Sequence, residues 1–299
     1  MVENQPPREP RADSARETGR SDAAQGRDAR AQQSSELTGN DLVIGYPATE
    51  DPVVEVDTVV LPEGEVTALV GPNGSGKSTL LKSMANQLDP WHGRVLLDGE
   101  EIQSVDAKTL AQRLGLLSQE NESPGSLTVE KLVYHGRYPH RGFFESVTEE
   151  DEAAVERAID LAGVDHLREK SMNNLSGGQK QLAWIAMVLA QDTDVLLLDE
   201  PTTYLDLHHQ LRVMEVVQTL NREQGVTVGV VLHDIGQAAR FADNLVAMKD
   251  GELYDWGPPK EVVTEELLAD VFEVDATVDS ESPTGPHISP HAALDGDSE

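Results

Sequence analysis

Cysteine is absent from this chain of 299 residues. Its absence excludes disulfides, thiolate metal sites and a cysteine nucleophile, and it fits a cytosolic protein. Lysine is scarce: eight stand against fifteen arginines and 54 acidic residues, for a formal net charge of −31. No Lys/Arg stripe is present to displace counterions from phosphates, which argues against a nucleic-acid partner. Long apolar runs are missing as well. The longest, such as 182–190 and 226–232, fall far short of the ~18–20 residues that span a bilayer. The first residues carry no apolar h-region, so no secretory signal is read there. Any service to a membrane would be that of a peripheral subunit.

The acids are not confined to a tail. They recur through 149–152 and 261–270, inside stretches patterned like folded helices. A surface this rich in carboxylates repels itself unless salt screens it. We therefore read the composition as that of a protein adapted to a salt-loaded, halophilic cytoplasm rather than as an acidic interaction tail.

Residues 1–36 hold six arginines among Asp, Gln, Ser and Pro with almost no large apolar side chain, a composition that cannot bury a core and predicts a disordered, solvated tail. Residues 276–299 are expected to be a second, acidic, loose tail. Between them, "VTALV" (66–70), "RLGLL" (113–117), "VLLL" (195–198) and "VGVVL" (228–232) are continuously apolar, as strands buried on both faces should be. Each ends at a polar residue or loop: Gly71, Ser118, Asp199, His233. Helical patterns fill 78–88, 176–190, 208–223 and 235–242, and "KDGELYDWG" (249–257) predicts a hairpin turning at Asp250-Gly251. This alternation predicts an α/β fold, in which ligands sit beyond the carboxyl ends of the parallel strands. Residues from about 121 interrupt it with acidic helical stretches and no convincing strand, which reads as a helical insertion.

Chemistry concentrates at the strand ends. "GPNGSGKST" (71–79) satisfies the Walker A pattern between a strand and a helix. Its residues Gly71, Pro72, Asn73, Gly74, Ser75, Gly76, Lys77, Ser78 and Thr79 would wrap a nucleotide's phosphates with backbone N–H groups and a helix N-terminus. Lys77 would reach the β- and γ-phosphates, and the Ser78 hydroxyl would hold Mg²⁺. "VLLLDEP" (195–201) sets Asp199 as a partner of Mg²⁺ and Glu200 as the general base for an attacking water. His233 ends another strand of the same sheet, where a neutral imidazole can hydrogen-bond a γ-phosphate. Gln119, also at a strand end, would orient a water or touch Mg²⁺. Tyr46 would stack on a base or fill a surface groove.

A second cradle follows at "LSGGQ" (175–179). Ser176 suits an N-cap, and Gly177 and Gly178 allow close backbone approach to an anion. One γ-phosphate held by Lys77 leaves this cradle no ligand in its own subunit. A head-to-tail homodimer, each turn closing over the nucleotide of the other copy, gives both cradles a use.

In this order the motifs resemble those of the ATP-binding cassette family: Walker A at 71–79, Gln119, "LSGGQ", Walker B at 195–200, "TTYLD" (202–206) and His233. The resemblance covers about 37–275. It implies a P-loop NTPase (RecA-like) core with a β subdomain and an inserted α-helical lid, about 121–190, and an ATP-dependent sandwich dimer with ATP and Mg²⁺ as cofactors. Carried over, Ser176, Gly177, Gly178 and Gln179 would contact the partner's γ-phosphate, and Asp206 would lie at the dimer interface. Gln119 would link the nucleotide to the lid, and the lid to transmembrane permease subunits.

The stretches "LVYHGRYPH" (132–140), "LAQDTDVLLLDEPTTYLDLHHQ" (189–210), "VLHDIGQAARFAD" (231–243) and "PPKEVVTEELLADVFEVDATV" (258–278) resemble importers of iron–siderophore complexes, haem and cobalamin. That implies a subunit at the cytoplasmic membrane face that hydrolyses ATP for siderophore uptake, served indirectly by an extracellular binding protein. Cobalamin or haem import is the alternative. Lys180 and Leu182 depart from the arginines many cassettes carry there. An exporter ATPase shares the catalytic parts and differs only in lid and C-terminal similarity. A non-transport cassette would show two motif sets or a long heptad insertion, and neither is present.

If the carboxylate surface requires screening, transfer from molar KCl to dilute buffer lowers the melting temperature and abolishes ATPase activity. Full activity in dilute buffer would end the halophilic reading.

Overall fold

β1 (Leu37–Ile44) pairs antiparallel with β2 (Val54–Leu61) on one side and β4 (His92–Leu97) on the other, and a short β5 (Glu100–Glu101) extends this sheet. A second sheet runs in the order β10-β9-β3-β8-β7-β6. Its parallel members are β3 (Val66–Val70), β6 (Leu114–Leu117), β7 (Val195–Asp199), β8 (Thr227–Val231) and β9 (Asn244–Lys249). β10 (Glu252–Gly257) closes one edge antiparallel. Asp250 and Gly251 both take positive φ, 51° and 86°, the backbone that a two-residue hairpin turn requires. The computed structural model describes residues 1, 35–119, 126–142 and 145–294, and residues 33–299 form one compact unit. The disorder expected for 1–36 falls almost wholly outside the described residues.

The continuously apolar strands feed two cores. Side chains alternate across a sheet with period two, so Ala68, Val70, Leu196, Leu198, Val228, Val230, Leu245 and Ala247 face one hydrophobic cluster. Leu69, Leu197, Val231, Val246 and Met248 face the other. The second cluster is filled by the antiparallel sheet and by α1 (Lys77–Met84), which contributes Leu80, Leu81 and Met84. Gly229 marks how closely these layers approach: a Cβ there would lie 2.5 Å from Leu61 Cδ2. The first cluster takes α6 (Leu207–Gln224), α7 (Ile235–Phe241) and the helical insertion. α2 (Ala107–Arg113) leads into β6.

The insertion consists of α3 (Val129–His135), α4 (Glu149–Ala162) and α5 (Gly177–Leu189). An isolated bridge between Thr128 and Ser171 ties the residue before α3 to the segment between α4 and α5. Residues 120–125 and 143–144 of the expected lid lie outside the described residues. Thr148 caps α4, and four acids occupy its first turn, where the helix dipole favours negative charge. One of them, Asp151, is buried and receives Arg137 Nε at 2.9 Å, while Arg137 Nη1 donates to the carbonyl of Ala190 at 2.9 Å. A single buried arginine thus ties the segment after α3 to the start of α4 and the end of α5. Scarce cations are shared elsewhere too. Arg168 meets Glu130, Glu156 and Asp165 together.

The end of the chain corrects the expectation of a loose tail from 276. After α8 (Pro259–Val262) and α9 (Glu265–Phe272), β11 (Val274–Asp279) pairs antiparallel with β12 (His287–Ala293). Val278 and Ile288 sit opposite each other and pack against the first core cluster. Gly285, at φ +99°, passes so close to helix α7 that a Cβ would lie 2.6 Å from the carbonyl oxygen of Ala239. A few apolar side chains, with Ala276 and Pro286 also buried, and one close turn suffice to dock a hairpin whose polar residues mostly face solvent.

Removing one partner of a buried ion pair costs about 3–5 kcal/mol, because the other charge stays buried and unpaired. Asp151→Ala is therefore expected to lower unfolding free energy by about that amount at pH 7, read by denaturant titration. Burial pushes the Asp151 carboxyl up, but hydrogen bonds from Arg137 and Thr148 outweigh it and hold it below the usual range. The contribution is present above the unfolded carboxylate pKa and is lost as pH falls through the lower folded value. The gap between wild type and variant should close in acid.

Candidate functional site

The loop between β3 and α1 is shaped by glycines that tolerate no side chain. At Gly71 (φ +149°) a Cβ would lie 2.2 Å from the carbonyl oxygen of Met248, and at Gly76 (φ +92°) it would lie 2.5 Å from Val54 Cγ2. Gly74 also takes positive φ, 84°. The loop, including Pro72 and Asn73, thereby curls around the N-terminus of α1, where unpaired backbone N–H groups and the helix dipole favour an anion. Lys77 is buried, and its Nζ donates to the carbonyls of Gly71 (2.9 Å) and Pro72 (2.7 Å), with Ser75 Oγ at 3.5 Å. Burial lowers its pKa, and the nearby Glu200 and Asp199 oppose that shift. Thr79 Oγ1 lies 3.2 Å from the Tyr46 hydroxyl, so Tyr46 is held beside the phosphate loop with part of its ring exposed.

The ends of β6, β7 and β8 converge on the same place. Ser78 Oγ donates to Asp199 Oδ1 at 2.7 Å. Asp199 is almost wholly buried, and its second oxygen, Oδ2, has no hydrogen-bond partner. Burial raises its pKa, against the hydrogen bond from Ser78. Beside it Glu200 takes a left-handed backbone, φ +50°. Its Oε2 accepts from Gln119 Nε2 at 2.7 Å and Thr203 Oγ1 at 3.1 Å, and His233 Nε2 stands 2.7 Å away. A carboxylate only accepts, so the imidazole carries its proton on Nε2. One oxygen thus collects three donors, leaving the other for a water. An orphaned carboxylate oxygen, the Ser78 hydroxyl and the amide oxygen of Gln119 make an all-oxygen set, which suits a hard divalent cation bound jointly with phosphates.

The Ser176 turn is built separately. Ser176 caps α5: its Oγ accepts from Gln179 N at 3.3 Å, while Gln179 Oε1 accepts from Ser176 N at 3.2 Å. This reciprocal box fixes the first turn. Nothing lies within 4 Å of a Cβ built on Gly177, whereas one on Gly178 would strike the His209 ring at 2.5 Å. Asp206 caps α6, accepting from His209 N at 2.9 Å and meeting His209 Nδ1 at 2.9 Å. No hydrogen bond among the described residues joins this turn to the phosphate loop. The predicted residues therefore form two groups. Residues 71–79, with Tyr46, Gln119, Asp199, Glu200 and His233, make one; Ser176–Gln179 and Asp206 make the other.

Two contributors went unread in the sequence. Thr203 holds Glu200 from three residues away, and its only signal is a hydroxyl closely following an acid. His209 links the two halves of the second group, and nothing in "DLHHQ" distinguishes it from His208.

Among the described residues no helix is long and apolar enough to cross a membrane. Residues 55–203 match the ABC transporter family. The ferric enterobactin transport ATP-binding protein FepC of Escherichia coli (strain K12) is 49% identical over 79% of this chain and 86% of its own length. The petrobactin import ATP-binding protein FpuD of Bacillus anthracis is 44% identical over 84% and 91%. Among solved structures, an inward-facing putative metal-chelate type ABC transporter superposes with a TM-score of 0.74 at 26% identity, covering 86% of this chain and 98% of that one. A dimeric bacterial ABC transporter cassette gives 0.66 at 29%, covering 74% and 98%. The phosphate loop, the strand-end acids and the capped Ser-Gly-Gly turn are thus those of a chain that belongs to the ABC transporter family, as an ATP-binding subunit that hydrolyses ATP to power transport.

Proposed function

We propose that two copies of this chain pair head-to-tail on the cytoplasmic face of a membrane, bound to transmembrane permease subunits, and drive uptake of iron(III)–siderophore complexes. An extracellular binding protein would deliver the cargo to the permease. The reading is carried by FepC, a ferric enterobactin transport ATP-binding protein that this chain matches at 49% identity over 86% of FepC's length. The separation of the two phosphate cradles supports the pairing, since each Ser176–Gln179 turn needs a nucleotide from elsewhere.

In this scheme ATP lies along residues 71–79 with its base on Tyr46. Ser78, Asp199 and Gln119 would hold Mg²⁺, which would supply positive charge to neutralise the phosphates. Glu200 takes a proton from water through its unshared Oε1 as the water oxygen bonds to the γ-phosphorus and the bond to the ADP oxygen breaks. His233 and Thr203 fix the carboxylate, and His233 can pass its Nε2 hydrogen bond to the γ-phosphate. Closure of the pair does work on the permease only insofar as ATP binds the closed state more tightly than the open one.

Glu200→Gln keeps the binding parts and removes the base. It is expected to abolish turnover by at least about a hundredfold and to accumulate an ATP-bound dimer, visible by light scattering in high-salt buffer. A variant that stays monomeric with ATP counts against the sandwich. For cargo, uptake is measured in cells whose only copy carries Lys77→Ala, offered ferric siderophore, haem and cobalamin in turn. Selective loss of siderophore uptake is the expected result; selective loss of another cargo reassigns the substrate.

A further inference from the structure

The Ser176–Gln179 turn has one neighbour that its own helix does not supply. Gly178 rests directly on the imidazole of His209: a Cβ on Gly178 would fall 2.5 Å from both Cγ and Cδ2 of that ring. The ring is itself anchored, because His209 Nδ1 meets Asp206 Oδ1 at 2.9 Å, the oxygen that also accepts the His209 backbone N–H. A carboxylate cannot donate, so the imidazole holds a proton on Nδ1. His208 packs edge-on against the same ring at 5.3 Å between centroids. Two of these residues, Gly178 and Asp206, belong to the surface assigned above to the partner's nucleotide and the dimer interface; they lie on different helices, α5 and α6.

We propose that His209 is a positioning residue for the Ser176–Gln179 turn. Anchored by Asp206, its imidazole is the floor on which Gly178 sits, so that the turn and Asp206 present themselves to the second copy as one rigid edge. Without the ring, α5 can tilt at its N-terminus, and Ser176 no longer meets a phosphate at the geometry its cap fixes. Among the described residues no hydrogen bond joins His209 to the phosphate loop of its own subunit, and its partners are Asp206, His208 and Gly178. Its loss should therefore leave ATP binding to the single subunit unchanged and weaken only ATP-driven pairing. A deeper consequence follows from Thr203, which donates to Glu200 Oε2 three residues ahead of Asp206: the segment that fixes the catalytic base ends at the residue that anchors the ring. The proposal rests on the head-to-tail reading.

The test uses the full chain in the Glu200→Gln background at high salt, with His209→Ala and His209→Asn added separately. Dimer formation against ATP concentration is followed by light scattering, single-subunit ATP affinity by a fluorescent analogue at low protein concentration, and folding by the melting temperature. The expected result is that His209→Ala raises the ATP needed for half-maximal dimer by about tenfold or more, with single-subunit affinity and melting temperature held. His209→Asn, which keeps a donor toward Asp206, should recover part of that loss. An unchanged ATP requirement in His209→Ala overturns the proposal. So does a parallel loss of single-subunit affinity in both variants, which would make His209 a folding residue. If Glu200→Gln alone fails to dimerise with ATP, the sandwich itself falls first, which separates that failure from the failure of His209.

Discussion

The arrangement at Glu200 depends on one oxygen. Gln119, Thr203 and His233 reach Oε2 from the end of β6, from the loop after β7 and from the end of β8. They can do so only because β6, β7 and β8 are adjacent and parallel, with Leu117 paired to Leu198 and Val231 to Asp199. A slip of one residue in either pairing would turn Gln119 or His233 to the opposite face of the sheet. The apolar runs fix that register by filling two cores at once, so packing energy far from the site sets the geometry at the site. Glu200 itself stands in a left-handed backbone that costs about 1–2 kcal/mol for an L-residue. Three hydrogen bonds to its carboxylate are what hold it there.

Much of this was legible because the chemistry is local. The phosphate loop declares itself by glycines at fixed spacing, and the structure supplies the reason: at Gly71 and Gly76 a side chain would meet backbone or Val54. Four of the five parallel strands were readable because burial on both faces leaves them almost wholly apolar; β9, bounded by Asn244 and Lys249, was not. The Asp250-Gly251 hairpin was readable because few residue pairs accept two successive positive φ angles.

What was not legible is long-range or weakly patterned. β11 and β12 carry buried Ala276 and half-buried Val274, Val278 and Ile288 amid mostly exposed residues, too few to outweigh a composition that resembles disorder. β1 is interrupted at Asp41, which has positive φ, where its register with β4 shifts, and this breaks the alternation that would announce a strand. Arg137 carries no local signal of burial, yet it is almost wholly buried because Asp151, fourteen residues on, and the Ala190 carbonyl meet it. Burial of a charge is decided by partners that no local pattern reveals.

The separation of the two phosphate cradles now has a structural cause. The phosphate loop is built into the junction of both sheets, pressed between Met248 and Val54, and cannot move without disturbing two cores. The Ser176 turn belongs to the helical insertion, whose helices are tied to one another by Arg137 and to α6 through His209 and Asp206. One cradle is fixed to the strand ends that hold the base, and the other to the helical insertion, which leaves the sheet after β6 and returns to it at β7. If a nucleotide bridges cradles on two copies, its binding energy is spent on bringing the second copy's turn into register with the first copy's phosphate loop.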